Sequence, residues 1–285
     1  MKSTLKSHPV LAYFVLTFVI SWGGVLILGA PHGMPTTSQK FEQLYPVVFL
    51  PYLLGPLVSS LILTGVIDGR AGFRELLARL TAWRISFKWY VIASLTAPVL
   101  ILGVLGILSL RSSAYLPALL TVDDKTTLLL TGLAIGFFGG GLMEEPGWTG
   151  FAVPKLRERS SVLRTGLLVG FVWGAWHFLP TYWGSGDASG ALSLALLLPP
   201  LVFYTAVLPA YRLLMVWVFE RTASLLVVML MHASLTASSL FILAPQAQGT
   251  GLVLYYLILA GLLWAAAGTV LLRMENRSRL ETAGS

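Results

Sequence analysis

Residues 139–151 read Gly-Gly-Gly-Leu-Met-Glu-Glu-Pro-Gly-Trp-Thr-Gly-Phe and put two adjacent carboxylates, Glu144 and Glu145, at the end of a long apolar run. No charged residue lies between Thr126 and Met143. Burying an ion in hydrocarbon costs about 2.5–3.5 kcal/mol on insertion scales and more by other measures. A chain that accepts this cost usually uses the group. The three glycines let neighbouring helices approach closely. Pro146-Gly147 is expected to break the helix, freeing backbone groups beside the acids. The competing reading is a helix end at the membrane interface, where carboxylates cost little.

Outside this stretch the composition points the same way. The chain has 285 residues, 56% hydrophobic and 11% charged, where a soluble domain carries about 25% charged residues. Several apolar runs reach the roughly 20 residues that span a bilayer as a helix. The chain therefore reads as an all-α polytopic membrane protein forming one transmembrane domain over 1–285. With no cysteine, disulfides, thiol nucleophiles and Cys-ligated metals are excluded. A net charge of +7 could point to nucleic acid, but its distribution points to membrane topology instead.

Eight spans are expected, at roughly 10–30, 44–67, 89–110, 126–148, 163–183, 191–218, 223–244 and 252–272. The first is too long for a signal-peptide core and reads as a retained helix. An even count puts both termini on one side. Of the 19 Lys and Arg residues, all but Lys40, Arg111 and Lys125 then share that side, among them Lys2, Arg277 and Arg279. The positive-inside rule makes it cytoplasmic. Within 69–88, Phe73, Leu76, Leu77, Leu80 and Trp83 recur at helical spacing between arginines. This predicts an interfacial amphipathic helix against the lipid bilayer.

Few ionisable groups remain in the spans. Every aspartate (Asp68, Asp123, Asp124, Asp187) falls in a predicted loop, and His8 and His32 flank the first span. With Arg212 and Glu220 assigned to the cytoplasmic end of the sixth span, Glu144, Glu145, His177 and His232 are left. Glu144 lies eleven residues from Lys155, His177 thirteen from Arg164 and His232 eleven from Arg221. At about 1.5 Å per residue these depths are all roughly 16–20 Å. Matched depth on three helices predicts one shared site, expected to open toward the cytoplasmic leaflet. Trp173 lies one turn from His177, and Thr236 one turn from His232.

The chemistry these groups permit is water activation. A carboxylate takes a proton from a water held by one imidazole, and the second imidazole and a hydroxyl hydrogen-bond a developing oxyanion. Glu144 and Glu145 point about 100° apart on a helix, so one of them faces the water. Alternatively, Glu144, His177 and His232 could ligate zinc with a position open for water. Gly184-Ser185-Gly186-Asp187 matches a G-x-G-D string but sits in a polar loop with no partner aspartate in the membrane.

At these residues the chain resembles the CPBP family, the CAAX-protease and bacteriocin-processing intramembrane proteases that include the eukaryotic Ras-converting enzyme. That family carries E-E-x-x-x-R, F-x-x-x-H and H-x-x-x-N/D on successive helices. Here the motifs read Glu144-Glu145-Pro-Gly-Trp-Thr149, Trp173-Gly-Ala-Trp-His177 and His232-Ala-Ser-Leu-Thr236. The resemblance extends over roughly 55–240. It implies an intramembrane endopeptidase of a bacterial cytoplasmic membrane, acting on a membrane-associated peptide or protein. Glu144 and His177 would activate water, with Glu145 beside them, and His232 would position it or stabilise the oxyanion. Thr149, Trp173 and Thr236 depart from the pattern. Loss of the motif arginine removes a charge that could pair with Glu145, and favours the alternative of a non-catalytic relative acting as a membrane immunity, scaffold or chaperone-like protein. Neither substrate identity nor oligomeric state follows from the residues.

Overall fold

A computed structural model describes the backbone from residue 2 to 283 and side chains from 5 to 276. Lys2, Arg277 and Arg279, which entered the charge count, lie outside the described side chains. Among the described residues the chain is helical, with three isolated bridges and no strand. Eight helices among the described residues are long and apolar enough to cross a membrane: Pro9–His32, Ser38–Ile67, Phe87–Ser109, Lys125–Arg157, Val162–Trp183, Leu194–Thr222, Leu225–Ile242 and Gly249–Asn276. Their outer faces carry exposed Leu, Val, Ile and Phe, such as Val19, Val99, Leu130 and Leu257. That is the surface hydrocarbon requires and water disfavours.

Local sequence explains the helix starts. Thr37, Asp124, Ser161 and Ser224 each accept a hydrogen bond from the backbone N–H three residues on, opening the second, fourth, fifth and seventh spans. Between the sixth and seventh spans the chain turns tightly at Ala223, whose φ of 49° is left-handed. The amphipathic helix is shorter than its predicted 69–88. It covers Gly69–Leu80, ends as Thr81 leaves helical geometry, and the next span begins at Phe87.

The predicted break at Pro146-Gly147 does not occur. The fourth span stays helical to Arg157, past the expected end at Trp148. Proline denies Leu142 its usual i+4 donor, and the helix accommodates this with π-helical turns at Ile135–Leu142 and Trp148–Ala152. A widened turn shifts the register without ending the helix. The fifth span is where the helix is interrupted, between Val162–Trp176 and Phe178–Trp183. Pro180 has no N–H for the Trp176 carbonyl, and Trp22 Nε1 of the first span donates to that oxygen instead at 2.9 Å. His177 sits at this junction.

The seventh span is the most enclosed of the eight and packs against the third, fourth and sixth. The fifth and sixth spans pack closely through Gly166, Gly170 and Gly174. A Cβ on these residues would lie 2.9 Å from Leu213 Cα, 2.7 Å from Pro209 Cα and 2.1 Å from the Tyr204 carbonyl oxygen, respectively. Small residues four apart let two backbones approach where side chains would hold them off.

Candidate active site

Both glutamates are buried inside the bundle, Glu144 at 4% and Glu145 at 0% exposure, so the interfacial reading of this stretch fails. Glu144 Oε2 accepts from Trp173 Nε1 at 2.6 Å and from Trp148 Nε1 at 3.2 Å. Its Oε1 lies 4.0 Å from His232 Nε2. That separation is too long for a hydrogen bond. A bridging water oxygen can join two such groups.

Glu145 points the other way. Its Oε1 takes a hydrogen bond from His232 Nδ1 at 2.7 Å and from Arg212 Nη2 at 2.9 Å. Its Oε2 takes one from Arg212 Nη1 at 2.8 Å and one from the Thr149 hydroxyl. A carboxylate paired with a guanidinium is an acceptor only. The proton of the His232–Glu145 bond therefore sits on Nδ1, leaving His232 Nε2 to face Glu144.

His177 is fixed in the same manner. Its Nδ1 lies 2.8 Å from the Trp173 carbonyl oxygen, which can only accept. The ring stacks on Tyr204, with centroids 4.3 Å apart and planes at 15°. Its Nε2 is thus the nitrogen free for substrate or water.

Glu144, Trp173, His177, His232 and Thr236 all line one cavity of about 560 Å³. Of the residues singled out from the sequence, these five are the ones the structure brings to this cavity. The remaining predicted residues, Glu145 and Thr149, do not line it; they stand behind its wall. The cavity extends away from the Lys/Arg-rich end, contrary to the predicted opening. On the second span its walls are formed by residues from Tyr45 to Leu53, in the half near Lys40. Toward the basic end, Glu145, Thr149 and Arg212 form a packed polar plug. Leu50, Ile135, Phe138 and Leu240 reach from the cavity to the outer apolar surface, where they are exposed.

Close approach at the floor depends on glycine. A Cβ on Gly140 would lie 2.8 Å from His232 Nε2 and 2.9 Å from the Thr236 hydroxyl oxygen. The cavity wall also includes residues of three π-helical turns, at Ile135–Leu142, Phe203–Val207 and Ser238–Ile242. Such turns recur at functional sites because they rotate side chains out of the regular helical register. Periodicity gives no signal for them.

Arg212 is the residue that sequence reasoning misplaced. It is fully buried, within the sixth span and not at its cytoplasmic edge. The signal lay on the neighbouring helix: the face of Gly166, Gly170 and Gly174 admits the sixth span, and Gly170 abuts Arg212 itself. Asp187 has a local role. Its carboxylate accepts from the Ser189 N–H and hydroxyl at 2.8 and 2.7 Å, and from the Ala191 N–H at 3.1 Å, closing its own loop.

The eight-helix bundle thus sets two buried carboxylates, a buried imidazole and a half-buried one beside or just behind the wall of a single cavity. Residues 126–238 match the family profile "Type II CAAX prenyl endopeptidase Rce1-like". The chain is also 28% identical over 187 residues to CAAX prenyl protease 2 of Methanococcus maripaludis, an alignment covering 62% of this chain and 64% of that protein. Over that region the chain is similar to the CAAX-protease (CPBP) family its motifs resemble.

Proposed function

We propose that the protein is an intramembrane endopeptidase that hydrolyses a peptide bond of a membrane-associated substrate of the CAAX type. The observation that supports this best is the division of labour between the adjacent glutamates. Glu145 is saturated by Arg212, Thr149 and His232, whereas Glu144 keeps one oxygen facing His232 Nε2 across the gap of 4.0 Å.

In this reading a water sits between Glu144, His177 and His232. Glu144 takes one proton as the oxygen attacks the scissile carbonyl carbon. The carbonyl oxygen gains the negative charge. Thr236 can donate a hydrogen bond to it, while His232, held through Nδ1–H by Glu145, positions the water through Nε2. The proton on Glu144 then passes to the departing amine as the C–N bond breaks, leaving a carboxylic acid and an amine that exchange the remaining proton to become carboxylate and ammonium. The apolar rim at Leu50, Ile135, Phe138 and Leu240 suits a substrate that arrives from the hydrocarbon phase.

The zinc alternative is less well supported by the geometry. Among the described residues, no three His, Asp or Glu side chains are disposed to hold one ion, and Glu144 Oε2 is already committed to two indoles.

The test is cleavage of a membrane-anchored peptide library by the purified protein. Glu144→Gln keeps the shape but not the proton acceptor, and should lower turnover by about 10²–10⁴-fold. His177→Ala should be as damaging and non-additive with it. Loss on chelation, restored by zinc, would establish the metal mechanism instead. Equal inertness of wild type and Glu144→Gln on every substrate, with both complementing a cellular phenotype, would make the protein a non-catalytic relative.

A further inference from the structure

The first motif lacks its arginine, since Thr149 stands where the family pattern has a guanidinium. Yet a guanidinium is present beside Glu145, delivered by Arg212 from a different helix. Arg212 Nη1 contacts both Glu145 Oε2, at 2.8 Å, and the Thr149 hydroxyl, at 3.2 Å, so it abuts the missing side chain's position.

Its reach extends to both halves of the site. Through the bidentate pair with Glu145 it fixes the carboxylate that receives His232 Nδ1–H. Its guanidinium also lies over the Trp173 ring, 4.1 Å from the centroid, and Trp173 Nε1 holds Glu144. One cation thus orients the partner of each reacting group. A planar, forked cation can bind a carboxylate bidentately while stacking on an indole, a geometry that an ammonium lacks. Arg212 Nε is buried without a partner. A chain retains so costly a group where its other bonds matter.

We propose that Arg212 is the positioning residue of this site. It replaces in space the arginine absent at position 149 and locks His232 as the Nδ1–H form, with Nε2 directed at Glu144. For its consequence in catalysis, the assignment rests on the endopeptidase reading above.

The test pairs a structural readout with an activity readout. ¹⁵N-histidine-labelled protein in nanodiscs reports the His232 tautomer, assigned with a His232→Asn control. Arg212→Ala should move His232 away from the pure Nδ1–H form and lower peptide cleavage on the order of 10²–10⁴-fold, as for other groups that orient a catalytic imidazole. Thr149→Arg alone should also damage the site, because two guanidinium groups would compete for one space. Thr149→Arg combined with Arg212→Ala should restore the tautomer and much of the cleavage, since residue 149 lies one turn from Glu145.

Arg212→Lys preserves the charge and is the variant to use if Arg212→Ala does not fold; it should fold and still lose the tautomer lock. Folded Arg212 variants with the wild-type His232 spectrum would overturn the proposal. So would a double variant that fares no better than Thr149→Arg. If the wild type cleaves nothing while the tautomer shifts as described, the endopeptidase reading fails and the positioning role stands.

Discussion

At the scale of single residues, the site is held by contacts that leave little room for substitution. Gly140→Ala would drive a methyl group to within 2.8 Å of His232 Nε2 and 2.9 Å of the Thr236 hydroxyl. It should abolish cleavage while the protein remains folded. Gly139→Ala is the control, since its nearest neighbour would be Ile135 at 3.5 Å, an ordinary contact; it should keep most of the activity. Trp173→Phe installs the residue of the family pattern but deletes the N–H that Glu144 accepts at 2.6 Å. Leaving that buried carboxylate oxygen short of a donor should cost about 1–3 kcal/mol, read as a lowered unfolding midpoint with reduced turnover. An unchanged midpoint and turnover in Trp173→Phe would show that the indole N–H is dispensable. The Trp173 departure from the motif therefore gives Glu144 a donor that phenylalanine cannot provide.

At the scale of elements, the site depends on how closely the fifth and sixth spans approach. Gly174→Ala would put Cβ 2.1 Å from the Tyr204 carbonyl oxygen. Backbone cannot give way as a side chain does, so the spans must separate and Tyr204 must leave the His177 ring it stacks on. Overpacking of this kind costs about 1–3 kcal/mol or more, measurable as a fall in thermal stability together with lost activity. The loop that holds Asp187 offers a pH-dependent counterpart. Hydrogen bonds from the Ser189 hydroxyl and backbone and from the Ala191 N–H hold the Asp187 carboxyl below its ordinary value. A depressed carboxyl stabilises the folded loop above the unfolded value and ceases to do so as pH falls through the folded one. Amide exchange at Ser189 and Ala191 should quicken in acid relative to its intrinsic rate, and Asp187→Asn should blunt that dependence.

At the scale of the whole molecule, the asymmetry of Lys and Arg along the chain predicts orientation. Reporter fusions at Arg79 and at the C-terminus should both report cytoplasm, and one near Ala247 should report the exterior. An exterior report from the C-terminus would overturn the assignment. Two ion pairs, Lys155–Asp68 at 2.9 Å and Arg157–Glu220 at 2.8 Å, sit at the basic end. They tie the end of the fourth span to the second and sixth on the face opposite the cavity. With that orientation the cavity extends toward the outer half of the bilayer from a floor near its middle, so substrate bonds should be cut at membrane depth.

The sequence by itself determined the number of spans among the described residues and put Glu144, His177 and His232 at matched positions along three of them. These follow from local quantities: apolar run length, charge placement and residue counts along a helix of fixed rise. Only the tertiary structure decided which glutamate faces the cavity, which end the cavity opens toward, and that the cation absent at Thr149 is provided by Arg212. Each of these depends on how helices rotate and pack against one another. That rotation is set by π-helical turns at Ile135–Leu142 and Phe203–Val207 and by the glycine face of the fifth span. Hydropathy does not encode them, and the chain's own periodicity runs through Pro146 without showing that the helix widens there instead of breaking.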